Sequence, residues 1–177
     1  MADVLLAPVD IASAWNVQGA RAAHAAERRF GLALPHVPNT VNASAELTSL
    51  WLGPGSWLLV KGGRPLEGYA DARDALNAAG GALFDVTASR VAYAVSGPRA
   101  ADVLAAGCPL DFHPRVFAVR ACAQSVFARV NALYYRLDDG FIVLVARSFG
   151  RDVWHGLCAA AMEFGYVVKE SSAWPGG

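Results

Sequence analysis

The sequence has little charge, and it lacks the long charged or apolar runs that mark several classes of protein. Charged residues make up 17% of the 177 positions, against roughly 25% in an average domain. Fifteen basic residues balance fifteen acidic ones without forming a basic stripe, which argues against nucleic acid as a ligand. The longest strongly apolar run, residues 141–146, is far shorter than the ~20 residues that span a bilayer. We therefore predict a protein that binds neither nucleic acid nor membrane.

Cysteine and histidine are scarce, and their spacing does not suit a metal site. The cysteines are odd in number and no pair has the C-x-x-C spacing. No histidine stands in an H-x-H or H-x-x-x-H pair with another ligand. The first basic residue is Arg21, so we expect the N-terminal segment to be a poor secretion signal. We predict a cytoplasmic protein without disulfide or metal site, whose residues of these two types are Cys108, Cys122, Cys158, His24, His36, His113 and His155.

Catalytic motifs are missing as well. The glycine-serine segment at residues 53–56 is not the G-x-S-x-G elbow, and the glycine pairs do not form a phosphate-binding loop. Asp85, which precedes Arg90, and Asp111, which precedes His113, are the carboxylates best placed for more than a surface charge. A salt bridge or a backbone cap explains each better than acid–base chemistry does. We predict no catalytic and no cofactor-binding residue in this chain.

Residue periodicity predicts an alternation of strands and helices. Pro54-Gly55 fits a type II turn, and Asp138-Asp139-Gly140 is a strong hairpin signal. The predicted strands are 15–18, 46–52, 57–60, 83–87, 91–95, 124–130, 133–137, 141–145 and 167–168. The predicted helices are 19–30, from Pro65 to about residue 79, from Pro98 to about residue 106, and from a Ser148 cap to Phe164. The apolar stripe predicted for the last helix consists of Phe149, Val153, Leu157, Ala161 and Phe164. Residues 1–18 stay ambiguous, with 15–18 only a possible strand, and 171–177 are predicted to form a frayed tail.

This element order indicates the fold class. It runs β-α-β-β-α-β and then β-α-β-β-β-α, which is typical of an α+β protein with two ferredoxin-like halves. The halves cover about 1–88 and 89–170. Because no Pro/Ser-rich linker separates them, we expect a single domain over 1–177 that forms one compact unit.

Aromatic residues beside predicted turns are the candidates for contact with another protein. A low-charge surface with no net charge favours association, and aromatic side chains often anchor interfaces. Trp51 and Trp57 lie on one predicted hairpin, and Phe149 and Trp154 on the last helix. We predict these four as interface residues; the alternative is that they belong to the core.

Six short segments carry a resemblance to a known family. They are WLGPGSWL at 51–58, FDVT at 84–87 with Arg90, VSGPRA at 95–100, CPLD at 108–111 with Phe117, CAQS at 122–125, and RSF at 147–149 with Trp154. In this order and spacing they resemble the gamma subunit family of heterotetrameric sarcosine oxidase, from about Leu50 to Gly165. Family members often have Thr at Ser125 and Ser at Thr87, and both exchanges keep a hydroxyl group.

The resemblance implies both a fold and a function. The fold would be similar to the folate-binding domain of glycine-cleavage aminomethyltransferase. The parent bacterial complex has alpha, beta, gamma and delta chains, and it oxidises sarcosine to glycine, hydrogen peroxide and a one-carbon unit for tetrahydrofolate. Its FAD and FMN belong to the alpha and beta chains, its NAD and folate to alpha, and its zinc to delta. The resemblance therefore implies a non-catalytic structural subunit that binds no cofactor itself.

Three alternatives stay open from the sequence. Related chains also serve N-methylglutamate dehydrogenase, and nothing in the sequence separates the two parent complexes. The shared fold also suggests a stand-alone folate or one-carbon binding module, in which Asp85 or Glu46 would hold the pteridine edge. The third alternative is a free-standing binding protein unrelated to amine oxidation.

Overall fold

The computed structural model describes residues 2–175, which form twelve strands, four α-helices and four short 3₁₀ helices. The strands are β1 (Val4–Asp10), β2 (Ser13–Gln18), β3 (Val41–Ala43), β4 (Thr48–Gly53), β5 (Ser56–Lys61), β6 (Ala82–Asp85), β7 (Arg90–Ser96), β8 (Cys122–Phe127), β9 (Val130–Arg136), β10 (Gly140–Ala146), β11 (Tyr166–Val168) and β12 (Ser172–Ala173). The α-helices are α1 (Ala23–Phe30), α2 (Tyr69–Ala78), α3 (Ala100–Ala105) and α4 (Gly150–Ala161). No helix within the described residues is long and apolar enough to cross a bilayer.

The chain divides into two compact units. Among the described residues, unit 1 consists of 2–10 and 89–172, and unit 2 of 11–88 and 173–175. The structure therefore differs from the predicted halves at both ends of the chain. The first strand belongs with the later residues, and the C-terminal segment belongs with the earlier ones. The class is α+β, as predicted, with two sheets.

Unit 2 has the ferredoxin-like arrangement. Its sheet runs β3-β4-β5-β2-β6 with every neighbouring pair antiparallel. One face of the sheet carries Trp15, Leu59 and Leu83, and these side chains share a buried cluster with residues of α1 and α2. The ring of Trp15 meets the rings of Phe30 and Tyr69 edge-on, at 5.9 and 5.2 Å between centroids. The predicted fold of the first half is confirmed.

Two details of unit 2 bear on the predictions. Gly55 has φ of +71°, which fits the third position of the predicted type II turn between β4 and β5. Helix α2, however, begins at Tyr69 and not at Pro65. The backbone N–H of Leu66 donates to Ser13 Oγ at 2.8 Å, which ties the segment after Pro65 to β2. Gly68, in the left-handed conformation, then turns the chain into the helix.

Unit 1 departs from the ferredoxin-like order through its first strand. The main path of its sheet is β11-β1-β7-β10-β9-β8, with β12 off this path. Strand β1 lies between β11 and β7, parallel to the former and antiparallel to the latter. Residues 4–10 lie in the segment for which the sequence predicted no definite element, and Pro8 weakens a strand signal there. In the structure Pro8 is in register with Tyr93 of β7.

The turn of the β8–β9 hairpin in unit 1 lies at a different position from the prediction. The predicted strand 124–130 runs through its turn, which the structure places at Ala128 and Arg129. Both residues have positive φ, +46° and +76°, although neither is a residue type that favours this conformation. The predicted Asp138-Asp139-Gly140 connection is confirmed, since β9 and β10 form an antiparallel pair around it.

Helix α4 begins differently from the prediction. Ser148 does not cap it; residues 147–149 form a 3₁₀ helix and α4 starts at Gly150. A Cβ at Gly150 would lie 2.7 Å from Val91 Cγ2, so the helix approaches β7 closely at this point. The predicted stripe is confirmed for Val153, Leu157 and Ala161, which are at most 1% exposed. It is wrong for Phe149, which is 48% exposed.

The C-terminal segment is not a frayed tail where the structure describes it. Trp174 is 4% exposed, and its indole N–H donates to Thr48 Oγ1 at 3.0 Å. A Cβ at Gly62 would lie 2.7 Å from the backbone of Trp174, so glycine allows this close approach. The prediction was wrong because burial of one distant tryptophan leaves no local pattern. Residues 176 and 177, which belonged to the same prediction, lie outside the described range.

Candidate functional site

Trp57, one of the four predicted interface residues, lies in the core of unit 2. It is 2% exposed, and its indole N–H donates to the carbonyl of Pro35 at 2.7 Å. It therefore holds the loop before β3 and offers no surface to a partner. Trp51, its register neighbour on β4, is half-buried at the edge of the same cluster. Of this hairpin, Trp51 alone keeps accessible aromatic surface.

Phe149 and Trp154 present aromatic surface on unit 1. Phe149 is 48% exposed in the 3₁₀ turn before α4. Trp154 is half-buried on α4, with its ring 5.1 Å from that of Tyr93. The Tyr93 hydroxyl donates to the carbonyl of Gly150 at 2.8 Å, and burial raises the pKa of Tyr93 despite the nearby Arg147. The tyrosine thus stays neutral and fixes the surface on which the tryptophan rests.

The two singled-out aspartates cap their own backbone. Asp85 Oδ1 accepts the N–H of Thr87 at 2.9 Å, and Asp111 Oδ1 accepts the N–H of His113 at 2.8 Å. The sequence preferred a salt bridge or a backbone cap for both, and the structure shows the cap. Thr87 in turn accepts the N–H of Ala14 through its hydroxyl at 2.8 Å. This use of the hydroxyl explains why a serine could replace Thr87.

The second carboxylate considered for a pteridine, Glu46, is engaged by a lysine. Lys61 Nζ lies 2.7 Å from Glu46 Oε2. The hydrogen bond and charge of Lys61 lower the pKa of Glu46, so it is a carboxylate over the physiological range. Asp85 and Glu46 are thus both occupied by other groups of the chain. Neither is arranged as a free acid for a pteridine edge.

Two of the four histidines approach the same carboxylate, that of Glu27. His24 and His36 each approach a carboxylate oxygen of Glu27, both at 3.6 Å. His24 and His155 are exposed, as expected for the outer faces of α1 and α4, and His113 lies in a loop. Within residues 2–175, no three His, Cys, Asp or Glu side chains are grouped to hold a metal ion. That this chain carries no metal stays a prediction.

The buried polar groups of unit 1 serve its packing. Tyr134 is fully buried, and its hydroxyl donates to the carbonyl of Val126 at 2.9 Å. Burial, together with the neighbouring Cys108, raises the pKa of Tyr134 far above the range in which it could exchange protons. Cys108 and Cys122 are buried, Cys158 is half-buried, and none of the three forms a disulfide. These groups do not form an acid–base pair.

Exposed apolar side chains are the surface feature that needs an explanation. In unit 1 they are Val116, Val119, Phe149, Met162, Val167 and Val168, and in unit 2 they are Val37 and Phe84. Val167 and Val168 lie on β11, the end strand of the sheet path. Exposed apolar end strands are normally covered, because they associate with other chains. The surface chemistry of unit 1 fits protein recognition.

Sequence reasoning missed one residue that shapes the β6 edge. The Tyr69 hydroxyl donates to the carbonyl of Leu83 at 2.9 Å and accepts the N–H of Asp85 at 3.2 Å. It therefore joins the start of α2 to β6. Tyr69 lies within the helix predicted from Pro65 to about residue 79, but nothing in the local pattern indicated a hydroxyl bonded to a strand.

The chain is similar to known proteins over most of its length. The model of the sarcosine oxidase, gamma subunit family matches residues 15–163. Sarcosine oxidase subunit gamma of Arthrobacter sp is 35% identical over 147 residues, which cover 81% of this chain and 71% of that protein. The protein of the same name from Corynebacterium sp. (strain P-1) is 34% identical over 139 residues, 76% of this chain and 66% of that one. The chain thus spans about two thirds of the length of these relatives.

Solved structures extend the similarity to the fold. A chain of the heterotetrameric sarcosine oxidase from Corynebacterium sp. U-96, in complex with pyrrole 2-carboxylate, matches with a TM-score of 0.81 and 28% identity. The match covers 93% of this chain and 86% of that one. Glycine cleavage system aminomethyltransferase T from Bartonella henselae matches with a TM-score of 0.63 and 17% identity, over 96% of this chain and 48% of that one. The second match shows a shared fold, which confirms the predicted similarity.

Proposed function

The chain belongs to the sarcosine oxidase gamma subunit family, and we propose that it is a structural, non-catalytic gamma subunit of a heterotetrameric sarcosine oxidase. The family match over residues 15–163 is the observation that carries the proposal. The complex would oxidise sarcosine to glycine, with hydrogen peroxide and a one-carbon unit passed to tetrahydrofolate. Alpha, beta and delta chains would be its partners, in the bacterial cytoplasm. Those chains would hold the FAD, FMN, NAD, zinc and tetrahydrofolate.

The side chains of the protein support a structural role. Asp85 and Asp111 are used as backbone caps, and Glu46 is paired with Lys61. Each carboxylate that the sequence singled out therefore has a bonding partner within the chain. Catalytic acids and bases usually have perturbed pKa values in a cleft that water can enter. The raised pKa of Tyr134, in contrast, belongs to a hydroxyl closed inside the core of unit 1.

The interface with the larger chains would use unit 1. Phe149 is exposed and Trp154 is half-buried beside it in sequence, and partly buried aromatic anchors contribute much of the energy of many interfaces. Trp51 would contribute from unit 2. Trp57 is left out of this proposal because it is buried.

Purification from the native host tests the proposal. A tagged chain should elute with larger chains whose preparation absorbs in the flavin bands and oxidises sarcosine. The isolated chain should be colourless and inactive with the same substrate. A solitary chain that carries flavin or oxidises sarcosine would refute the structural role.

The same preparation decides between sarcosine and N-methylglutamate as the oxidised amine. The proposal expects the higher kcat/KM with sarcosine. A clear preference for N-methylglutamate would assign the chain to the related dehydrogenase and overturn the choice of parent complex. Elution of the chain alone, as a stable monomer, would support a free-standing protein instead.

A further inference from the structure

Two adjacent cavities open on unit 2 beside the end of β5. The larger has a volume of about 600 Å³ and lies between the end of α1 and the segment that leads into α2. The smaller, of about 300 Å³, lies between the loop before β4 and the C-terminal segment. Lys61 and Arg64 line both cavities, so the two adjoin at these side chains and share one cationic region. We call the two together the β5 cleft.

Three cations from separate elements meet in the β5 cleft. Arg29 comes from the end of α1, Lys61 from the end of β5, and Arg64 from the following loop. Like charges held in one concavity repel each other unless anions neutralise them. The chain supplies Glu46 in the smaller cavity and Glu67 in the larger one. The side chains that line the cleft therefore carry more positive than negative charge.

Glu46 marks where an incoming carboxylate would bind. Its carboxylate is 2.7 Å from Lys61 Nζ, but the two side chains differ greatly in exposure, at 76% and 17%. The ammonium group is thus fixed in the wall of the cleft, whereas the carboxylate reaches it from the solvent side. Exchange of such an exposed carboxylate for one from a ligand costs little, because exposed ion pairs contribute weakly. The charge of Arg64 also acts on this position, since it helps to lower the pKa of Glu46.

Arg29 forms a second cationic end. Its Nη2 donates to the carbonyls of Glu67 and Gly68, at 3.4 and 3.3 Å, which fixes the guanidinium at the far side of the larger cavity. Among the described residues, no hydrogen bond engages its Nε or Nη1. Gly68 has φ of +70°, which favours glycine at this position, and a Cβ there would displace the end of the Arg29 side chain. Phe30 and Leu66 line the same cavity as an apolar wall.

We propose that the β5 cleft binds a small organic dicarboxylate. One carboxylate takes the place of Glu46 at Lys61 and Arg64, and the other binds Arg29. The carbon chain lies against Phe30 and Leu66. Two cationic ends with an apolar wall between them select a ligand with two separated carboxylates over a compact anion such as phosphate. This inference goes beyond the proposed function and does not rest on it, because every residue involved belongs to unit 2 of this chain.

Calorimetric titration of the full chain with glutarate tests the proposal. We expect saturable binding with a Kd on the order of 1 mM, which is typical of a few solvent-exposed charge contacts. Butyrate, with one carboxylate, should bind at least about tenfold more weakly. Inorganic phosphate should not compete. Saturable binding with this selectivity supports the site, and absence of glutarate binding refutes it.

Removal of the internal carboxylate gives the sharpest test. Glu46→Gln should tighten glutarate binding by about fivefold, because the ligand then has no competitor at Lys61 and an exposed ion pair competes no more strongly than this. Glu67→Gln is the matched control, since it removes the same charge from the same cleft without freeing that ammonium group. It should tighten binding less than about threefold. Equal effects of the two substitutions would show general charge attraction and would overturn the proposed exchange.

Removal of the cations completes the test. Arg64→Gln should weaken glutarate binding by about tenfold. The variant Arg29→Gln loses the bonds to Glu67 and Gly68 and can fail to fold. In that case Arg64→Gln still provides the test. Unchanged affinity in Arg64→Gln contradicts the proposal. Phosphate that binds as tightly as glutarate, in the wild type and in Glu46→Gln, would show an adventitious ion only and would also contradict it.

Discussion

The two units differ in how deeply they bury their aromatic side chains. In unit 2, Trp15, Trp57 and Trp174 are between 2% and 4% exposed, and both indole N–H groups for which a bond is described, those of Trp57 and Trp174, donate inside the unit. In unit 1, Phe149 is 48% exposed and Trp154 is half-buried. Apolar residues also remain outside on β11. Unit 2 has thus enclosed three of its four tryptophans in its own core and leaves Phe84 exposed, whereas the one tryptophan of unit 1 is half-buried and Phe149 is exposed.

This difference separates two roles that the sequence could not distinguish. A tryptophan at a turn can be a core residue or an interface anchor, and its neighbours in sequence do not decide which. The contrast predicts that aromatic substitutions in unit 2 lower stability, whereas those in unit 1 lower affinity for partner chains. Each prediction below tests one side of that contrast.

Trp57→Ala should have the largest effect, on the stability of unit 2. Loss of a buried tryptophan costs about 3–5 kcal/mol in free energy of unfolding, and here the bond to the Pro35 carbonyl is lost as well. Urea denaturation followed by circular dichroism measures this loss. Trp51→Ala is the control, and its loss should be smaller because Trp51 is half-buried. A Trp57→Ala chain that keeps its stability but fails to bind its partner chains would show that Trp57 is an interface residue and would contradict the contrast.

Phe149→Ala should have a smaller effect, on assembly. We expect association with the partner chains to weaken by about 2 kcal/mol, or roughly thirtyfold, because exposed aromatic anchors contribute at this level. Stability should change by less than about 0.5 kcal/mol. Phe84→Ala is a closely matched control, since Phe84 has the same 48% exposure but lies in unit 2. Equal weakening by both substitutions, in a binding titration, would place the interface on both units.

Thr87→Ala should have the smallest effect and sharpens the description of unit 2. The Ala14 N–H would lose its acceptor, which costs about 1 kcal/mol in free energy of unfolding. Thr87→Ser keeps the hydroxyl and should cost clearly less. Thermal unfolding of the two variants side by side gives the comparison. Equal losses would mean that the methyl group, and not the hydroxyl, makes the contribution.

Local sequence signals predicted unit 2 better than unit 1. Pro54-Gly55 marks its central hairpin, and strand and helix patterns alternate around that turn in chain order. The first strand of unit 1 was missed because its partners, β7 and β11, are distant in sequence and Pro8 interrupts its pattern. The Ala128-Arg129 turn was missed because these residue types do not favour positive φ. Tertiary pairing decided the structure in both places.

The candidate site was predictable to a smaller extent. The caps formed by Asp85 and Asp111 are one of the two structural roles, salt bridge or backbone cap, that were predicted for these residues, and short-range rules account for them. The burial of Trp57 and Trp174 depends on residues far away in the chain, so the sequence assigned the first to an interface and the second to a loose tail. The β5 cleft was missed for the same reason, since Arg29 and Lys61 approach one another only after α1 and β5 have packed.

The position of β1 determines the order in which the two sheets can form during synthesis of the chain. All strands of the unit 2 sheet lie between Ser13 and Asp85, so that sheet can form early during translation. Val4 must wait for its register partner Tyr166. The other neighbour of β1 is β7, which is synthesised much earlier, so until then only the β11 edge of β1 stays unpaired on the nascent chain, where it is open to misassociation. Synthesis of residues 166–168 therefore acts as the checkpoint after which the sheet of unit 1 can close around β1.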